Sequence, residues 1–314
     1  MASGCDDNMV YVWCMDSGKC LHRLEGHSES VRSVTFSPCG RKVISCSFDK
    51  TVRVWCAESG SMLLVLDGHR DYVNSATVSK CGKWVISGSQ DRTVRVWCLK
   101  TGRPIKELKG HVFSVNQVAL SPCCKWLVSI EDYMIYVWST ESWQLHKEIR
   151  GCKMRTRTIA FSPCGKQAAC ASAENVIRVW CTENGRQVRK LVGHRGWVTA
   201  LDISSCGRWL TSAAYDNTVR TWCMSSGKQL KIVDHHFNCT SSIKISPCTR
   251  WIVLGTYCKM VRIWRNGLAP PTSTEIDTTV RACRLDTLSL PKELWHLIFS
   301  FVSHDELRKT NSHS

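Results

Sequence analysis

The chain has 314 residues, 43% of them apolar and 22% charged, which allows one large packed core with a short appendage and excludes wholesale disorder. Forty-two Lys and Arg stand against 26 Asp and Glu, a formal charge of +16 that raises the question of a polyanionic partner. The longest apolar stretches, such as Trp251 to Gly255, fall far short of a bilayer span, and Met1 to Asp7 carry neither a basic flank nor a hydrophobic run, so neither a transmembrane helix nor a signal peptide is expected.

Taken in chain order, a short β-branched run closed by Trp recurs at Trp13, Trp55, Trp97, Trp138, Trp180, Trp222 and Trp264, at intervals of 42, 42, 41, 42, 42 and 42 residues. Six residues before each Trp lies a turn position, occupied by Asp7, Asp49, Asp91, Asp132, Glu174, Asp216 and Cys258. Gly-His pairs open four repeats: Gly26-His27, Gly68-His69, Gly110-His111 and Gly193-His194. An apolar strand and a tight turn lie between, as in Val31 to Phe36 followed by Ser37-Pro38-Cys39-Gly40. A single short sheet buries neither face alone, so units of this kind must stack on their neighbours.

Over residues 2 to 264 the spacing, Gly-His, turn Asp and terminal Trp together resemble the WD-repeat family. The resemblance implies an all-β propeller of four-stranded antiparallel blades. It also implies hydrogen-bonded structural tetrads, with three complete sets: His27, Ser45, Asp49, Trp55; His69, Ser87, Asp91, Trp97; and His194, Ser212, Asp216, Trp222. A hydrolase would need its Ser, His and Asp once, in a cleft; here the trio recurs with the scaffold, so these residues are read as structural and the chain as no enzyme. No cofactor is expected.

The repeats are uneven. Ser129 and Asp132 stand one residue closer than usual, Cys152, Cys170 and Glu174 replace His, Ser and Asp in the next repeat, and Asp234-His235, Leu254 and Cys258 mark the last. Ala2 to Asp7 read as the end of a second strand, Met9 to Trp13 as a third and Cys20 to Leu24 as a fourth, whereas no clear fourth strand follows Trp264. Two arrangements fit: seven blade positions with the first incomplete, which is preferred, or six blades closed by the Cys20–Leu24 strand.

Eleven of the 20 cysteines occupy two repeat positions. Cys14, Cys56, Cys98, Cys181 and Cys223 follow the blade Trp, and Cys39, Cys81, Cys123, Cys164, Cys206 and Cys248 sit in the first hairpin turn. The family usually has Asp at both; eleven acids there would bring the charge of +16 down to +5, which weakens a nucleic-acid reading. With no signal peptide the thiols are expected to be free. No C-x-x-C occurs and the scaffold should hold repeated positions apart, so zinc binding is not expected. Arg53, Arg95, Arg178, Arg220 and Arg262 recur two residues before Trp and are read as packed stems with local partners.

Residues that vary beside the turn Asp or just after Gly-His should project onto one rim and bind a protein or peptide: Phe48, Tyr72, Gln90, Phe113, Arg155, Arg195, Trp197, Tyr215 and Tyr257. Residues 265–280, with Pro270-Pro271, read as a connector after the propeller of residues 1–264. Residues 281–314 read as a helical tail whose Leu290, Leu294, Leu297, Ile298, Phe301 and Val302 share one face, with Pro291 in the first turn and Trp295 widening it. Cys283-Arg284 and Leu288-Ser289-Leu290-Pro291 resemble a SOCS box, although the leucine before the Cys is missing and the spacer is short; Leu290 to Phe301 also resembles the first half of an F-box. Either box implies an adaptor-binding tail, through Cys283, Leu290, Pro291, Leu294, Trp295, Ile298 and Phe301, contacting elongin B/C or another cullin adaptor. The resulting expectation is a cytoplasmic, and also nuclear, substrate-recognition subunit of a cullin-type ubiquitin ligase. An assembly scaffold without a ubiquitin role and a basic propeller touching nucleic acid are the alternatives.

Overall fold

The computed structural model describes residues 2–4, 6–14, 20–150, 156–172, 175–234, 240–245, 249, 251–256, 260–265 and 278–281. These are all β, with strands in one three-stranded and six four-stranded antiparallel sheets. They fall into two compact units, residues 1–14 with 19–156, and 157–314 with 15–18.

In the first unit, β1 (Ala2–Gly4), β2 (Val10–Trp13) and β3 (Cys20–Leu24) form the three-stranded sheet. Three meanders follow: β4 (Val31–Phe36), β5 (Lys42–Ser47), β6 (Val52–Cys56) and β7 (Met62–Leu66); β8 (Val73–Val78), β9 (Trp84–Ser89), β10 (Val94–Cys98) and β11 (Pro104–Leu108); and β12 (Gln117–Leu120), β13 (Trp126–Ile130), β14 (Met134–Ser139) and β15 (Leu145–Arg150). The second unit continues the pattern with β16 (Thr156–Phe161), β17 (Gln167–Ser172), β18 (Val176–Cys181) and β19 (Gln187–Val192). Next come β20 (Val198–Ile203), β21 (Trp209–Ala214), β22 (Thr218–Cys223) and β23 (Gln229–Asp234), then β24 (Thr240–Ile245), β25 (Trp251–Thr256), β26 (Met260–Arg265) and β27 (Thr278–Arg281).

Stacking of sheet on sheet follows from the period of two along a strand. On β5, Val43 packs with Val10, Val12, Leu24 and Trp55, toward the first sheet. Its neighbours Ile44 and Cys46 point the other way, onto Val73, Ala76, Val85 and Trp97 of the following meander. With both faces covered, β5, β9 and β21 are buried almost throughout. The outer strands are exposed except at one end, where Leu24, Leu66, Leu108 and Leu191 turn inward. In the second unit, Ala169, Ile177 and Leu191 meet Val198, Leu201 and Trp222, and Ala200 and Ala213 meet Ile243 and Leu254.

A register shift falls immediately before the Trp on the outer side of β2, β6, β10, β14, β18 and β22. Such a bulge re-aims one side chain and twists the strand, so the recurrence of Trp is also a recurrence of backbone irregularity.

Seven positions with an incomplete first sheet is the arrangement found, and β3 pairs with β2 in register Val10↔Leu24. The expectation that no fourth strand follows Trp264 is corrected: β27 pairs with β26 from within the stretch read as a connector, through Val261↔Val280. A Thr-Thr-Val run carries the β-branched signal for it, beyond an interval far longer than the other outer hairpins. The tail residues Cys283, Leu290, Pro291, Leu294, Trp295, Ile298 and Phe301 lie outside the described residues.

The first hairpin turns share one left-handed position. Gly40, Gly82, Gly165 and Gly207 have φ between 68° and 72°, and the fourth sheet places Cys124 there at φ 57°. A Cβ at Gly40 or Gly82 meets nothing, so the cost at Cys124 is one of backbone conformation rather than crowding. Cys124→Gly is expected to stabilise the protein by about 1 kcal/mol and Gly82→Ala to destabilise it by about 1 kcal/mol, both read from urea unfolding midpoints.

Candidate functional site

Each meander has two functional ends. The hairpins β4–β5 and β6–β7 lie together at one end, tied by Ala57 N–H donating to Arg41 O. The β5–β6 turn and the entry loop before β4 meet at the other, where Phe48 N–H donates to Ser30 O. The polar sets occupy the second end.

A buried indole N–H can only donate and an ionised carboxylate can only accept, and between them they set the direction of the bonds that join them. Trp55 Nε1 donates to Ser45 Oγ at 2.8 Å. The Asp49 carboxylate accepts from His27 Nδ1–H at 2.7 Å, and in that tautomer His27 Nε2 accepts from the Ser45 hydroxyl at 2.8 Å. The next sheet repeats the chain from Trp97 through Ser87 and His69 to Asp91, with bonds of 2.9, 2.8 and 2.7 Å. In the second unit it runs from Trp222 through Ser212 and His194 to Asp216, at 2.8, 2.7 and 2.9 Å. All three serines are fully buried, and so are the three indoles, at 1% exposure.

The aspartates then gather backbone. Asp49 accepts from Ser28 N–H and from Thr51 N–H and Oγ1–H; Asp91 does the same with Arg70 and Thr93, and Asp216 with Arg195 and Thr218. Burial opposes the ionised form of Asp49, but bonds from His27 and Thr51 outweigh it and hold the carboxyl well below the usual carboxylate range. Asp91 and Asp216 are held low by the same partners in their own sheets. The threonines were not anticipated; their signal is a Thr recurring four residues before Trp.

Glycine precedes these histidines because of what lies against it. A Cβ at Gly193 would stand 2.7 Å from Arg220 Nη1 and 3.0 Å from the Trp222 ring, with the same two groups against Gly68. The recurrent arginines close over the network: Arg220 donates to Gln229 Oε1 at 2.6 Å and Thr218 Oγ1 at 3.0 Å, and Arg95 lies 3.5 Å from Glu107 and over the Trp97 ring.

The fourth sheet solves the problem differently. Trp138 and His111 still meet on Ser129, at 2.7 Å each. The acid that caps the loop amides is Glu131, not Asp132: its Oε2 accepts from Val112 and Phe113 N–H, and Oε1 from Tyr136 O–H. Asp132 instead accepts from Asn116. With one turn residue missing, the longer Glu side chain reaches where Asp would. His111 Nδ1 is left buried without a partner, and burial lowers the His111 pKa to about 4. In the fifth sheet Trp180 donates to Cys170 Sγ, a weaker acceptor.

Above these ties lie the rim residues. In the first unit Phe48 stacks on Tyr72 at 4.5 Å, with Arg32 5.0 Å over the Phe48 ring. Gln90 N–H donates to Tyr72 O at 2.8 Å, and Gln90 Nε2 to Asn74 at 3.5 Å. Phe113 is half exposed beside Tyr133, which sequence reasoning missed, and Val112 is 62% exposed. In the second unit Trp197, 43% exposed, lies 6.2 Å from Tyr215, with exposed Arg195 two residues before it. Gly196 allows that approach, since a Cβ there would stand 2.5 Å from Asp216 N. Arg155 and Tyr257 lie outside the described residues.

The opposite end carries thiols, and no disulfide joins the described cysteines. Ser37, Ser79, Ser121, Ser162 and Ser204 place a hydroxyl 3.2 to 3.3 Å from Cys39, Cys81, Cys123, Cys164 and Cys206 respectively. Bonds from Ser225 and Ser226 lower the Cys223 pKa to about 6.

Six successive segments, residues 18–56, 60–98, 102–139, 143–181, 185–223 and 227–265, match the model of the family described as WD domain, G-beta repeat. The chain belongs to this family, whose members are generally non-enzymatic protein-interaction scaffolds. It is similar to WD repeat-containing protein 25 of Mus musculus, 48% identical over 14% of this chain and 8% of that protein. Similarity to the Lissencephaly-1 homolog of Heterostelium pallidum is 40% over 14% of this chain and 11% of that protein. Similarity to F-box/WD repeat-containing protein sel-10 of Caenorhabditis elegans is 40% over 14% and 7%. The matched stretches span little more than one repeat in each.

Ser87→Ala strips the acceptor from Trp97 and the donor from His69, and is expected to cost about 2–4 kcal/mol in urea unfolding, against under about 0.5 kcal/mol for exposed Ser59→Ala. His111 and His194 are both shifted down by burial, His194 against the pull of Asp216. A depressed histidine contributes fully above its unfolded value and loses that contribution as pH falls toward the folded one. Stability should therefore decline from about pH 6.5 to pH 4, by up to roughly 3 kcal/mol for His111. The low-lying aspartates keep contributing across that window. Unfolding midpoints of the native chain and His111→Gln against pH check this: the variant should show the shallower decline.

Proposed function

Given a WD-repeat scaffold, we propose that this chain is a substrate-recognition subunit of a cullin-type ubiquitin ligase, acting in the cytoplasm and nucleus. A protein or peptide target binds the aromatic rim, and residues 282–314 bind the adaptor, elongin B/C or another of its class. The observation that carries target binding is the pairing of rim aromatics with rigid loops: Phe48–Tyr72 under Arg32, Phe113–Tyr133 and Trp197–Tyr215, of which Phe113, Tyr133 and Trp197 are exposed and the others half-buried, stand on loops whose amides are capped by buried acids. Large aromatics held in place lose little freedom on binding, and such residues dominate interface energetics. Support for the ligase role is the resemblance of residues 282–302 to a SOCS box or the start of an F-box, together with a relative whose name joins an F-box to WD repeats.

Affinity purification of the tagged full chain and of a chain ending at Arg281, which keeps β27, tests the tail. Elongins or a cullin recovered only with the full chain is the expected result; identical partners from both would leave an assembly scaffold. Tyr72→Ala and Trp197→Ala, tested one at a time, should each weaken target capture about tenfold or more while the chain stays folded, with a stability loss of no more than about 2 kcal/mol. Unchanged capture by both would remove the rim from the account.

A further inference from the structure

The end of the sheets opposite the rim holds an opening that the fold does not require. In the first unit, the turns after β4 and β8 and residues 99–100 enclose a cleft of about 520 Å³. The residue that opens it is Lys42, at the start of β5 and in register with Cys56. The corresponding places at the start of β9, β13, β21 and β25 are taken by Trp84, Trp126, Trp209 and Trp251, in register with Cys98, Ser139, Cys223 and Arg265. An indole there reaches the next sheet: Trp84 meets Trp143 of the β14–β15 turn with ring centroids 5.1 Å apart, and both pack on the core. Lys42 instead sends a thin stem across, and its Nζ donates to Leu99 O at 3.1 Å. Space that a ring fills between the third and fourth sheets is thus left open between the second and third.

The chemistry of the opening follows from what surrounds it. Lys42 of the second sheet and Lys80 and Lys100 of the third line the cleft, and no carboxylate does. One Lys42 proton is committed to Leu99 O, which leaves two for a ligand, and Lys80 and Lys100 are exposed. Three ammonium groups around one concavity reinforce each other's potential and favour a multiply charged anion. Lysine recognises by charge density rather than by a planar fork, which favours phosphate groups, at roughly −1.5 to −2 each, over carboxylates. A cleft of this volume takes a small molecule rather than a macromolecule.

We propose that the cleft between the second and third sheets binds a small molecule carrying several phosphate groups, held by Lys42 from one sheet and by Lys80 and Lys100 from the next. A ligand so placed ties the β4–β5 turn to the β8–β9 turn. Because it lies away from the rim, the site stands independently of the ligase reading. The protein carries its own reporters: Cys39 and Cys81 also line the cleft and are exposed, so an occupant shields them. Cys164 and Cys206 hold the same turn position in the second unit, each exposed with a serine hydroxyl 3.3 Å from its sulfur, and serve as internal references.

The probe is inorganic tripolyphosphate on the full chain, compared with sodium chloride at equal ionic strength, and the readout is the rate of iodoacetamide labelling at each cysteine by peptide mass spectrometry. Labelling of Cys39 and Cys81 should slow at least about fivefold, while Cys164 and Cys206 change by less than about twofold. Lys80→Gln with Lys100→Gln, both at exposed positions, should abolish the protection while the chain stays folded. Lys42→Trp, which installs the ring of the corresponding positions, should abolish it by filling the space. Equal slowing at all four thiols would show diffuse attraction to a basic chain and overturn the proposal. Unchanged labelling of Cys39 and Cys81, or protection that survives the double lysine substitution, would overturn it as well.

Discussion

A buried tryptophan N–H, which can only donate, and a carboxylate, which can only accept, bracket a serine and a histidine, and the loops of this chain depend on that line of hydrogen bonds. Ser45, Ser87 and Ser212 accept from the indole and stand 2.7 to 2.8 Å from histidine Nε2. The carboxylate sets the histidine tautomer by accepting from Nδ1–H, and it has acceptor capacity left for two loop amides and a threonine. The loops so tied carry the exposed aromatics, which is how a core hydrogen bond becomes a property of the binding surface.

The same logic explains which departures the fold tolerates. A missing turn residue in the fourth sheet is absorbed by Glu131, and Tyr136 takes the place of the arginine that closes the other networks. What is not recovered is the bond to His111 Nδ1. Cys170 keeps a direction of bonding but with a softer acceptor. The scaffold depends on the indole finding an acceptor more than on any one residue type beyond it.

Periodicity in the sequence carries most of this. The interval between tryptophans locates every third strand, and Gly-His with the turn Asp locates the ties, because each repeats at a distance set by strand length. Glu131 escaped because counting back from Trp138 assumes a constant turn, and a deletion moves the capping role to a neighbour with a longer side chain. β27 escaped because the interval after Trp264 breaks the period on which the reading relied. Tyr133 escaped for another reason: its place beside Phe113 comes from the packing of the entry loop against the β13–β14 turn, which spacing along the chain does not encode. The aromatic pairs were legible one residue at a time, but their stacking was not.

The account turns on the claim that the recurrent Asp carboxylates hold loop amides rather than await a ligand, and hydrogen exchange reads that directly. Ser28, Arg70 and Arg195 are exposed loop residues whose N–H groups donate to Asp49, Asp91 and Asp216. Their amides should exchange as slowly as those of the buried strands β5, β9 and β21, opening only with global unfolding. Exchange at the rate of an unprotected loop would show that the carboxylates are not engaged and would contradict the structural assignment of the His, Ser and Asp sets.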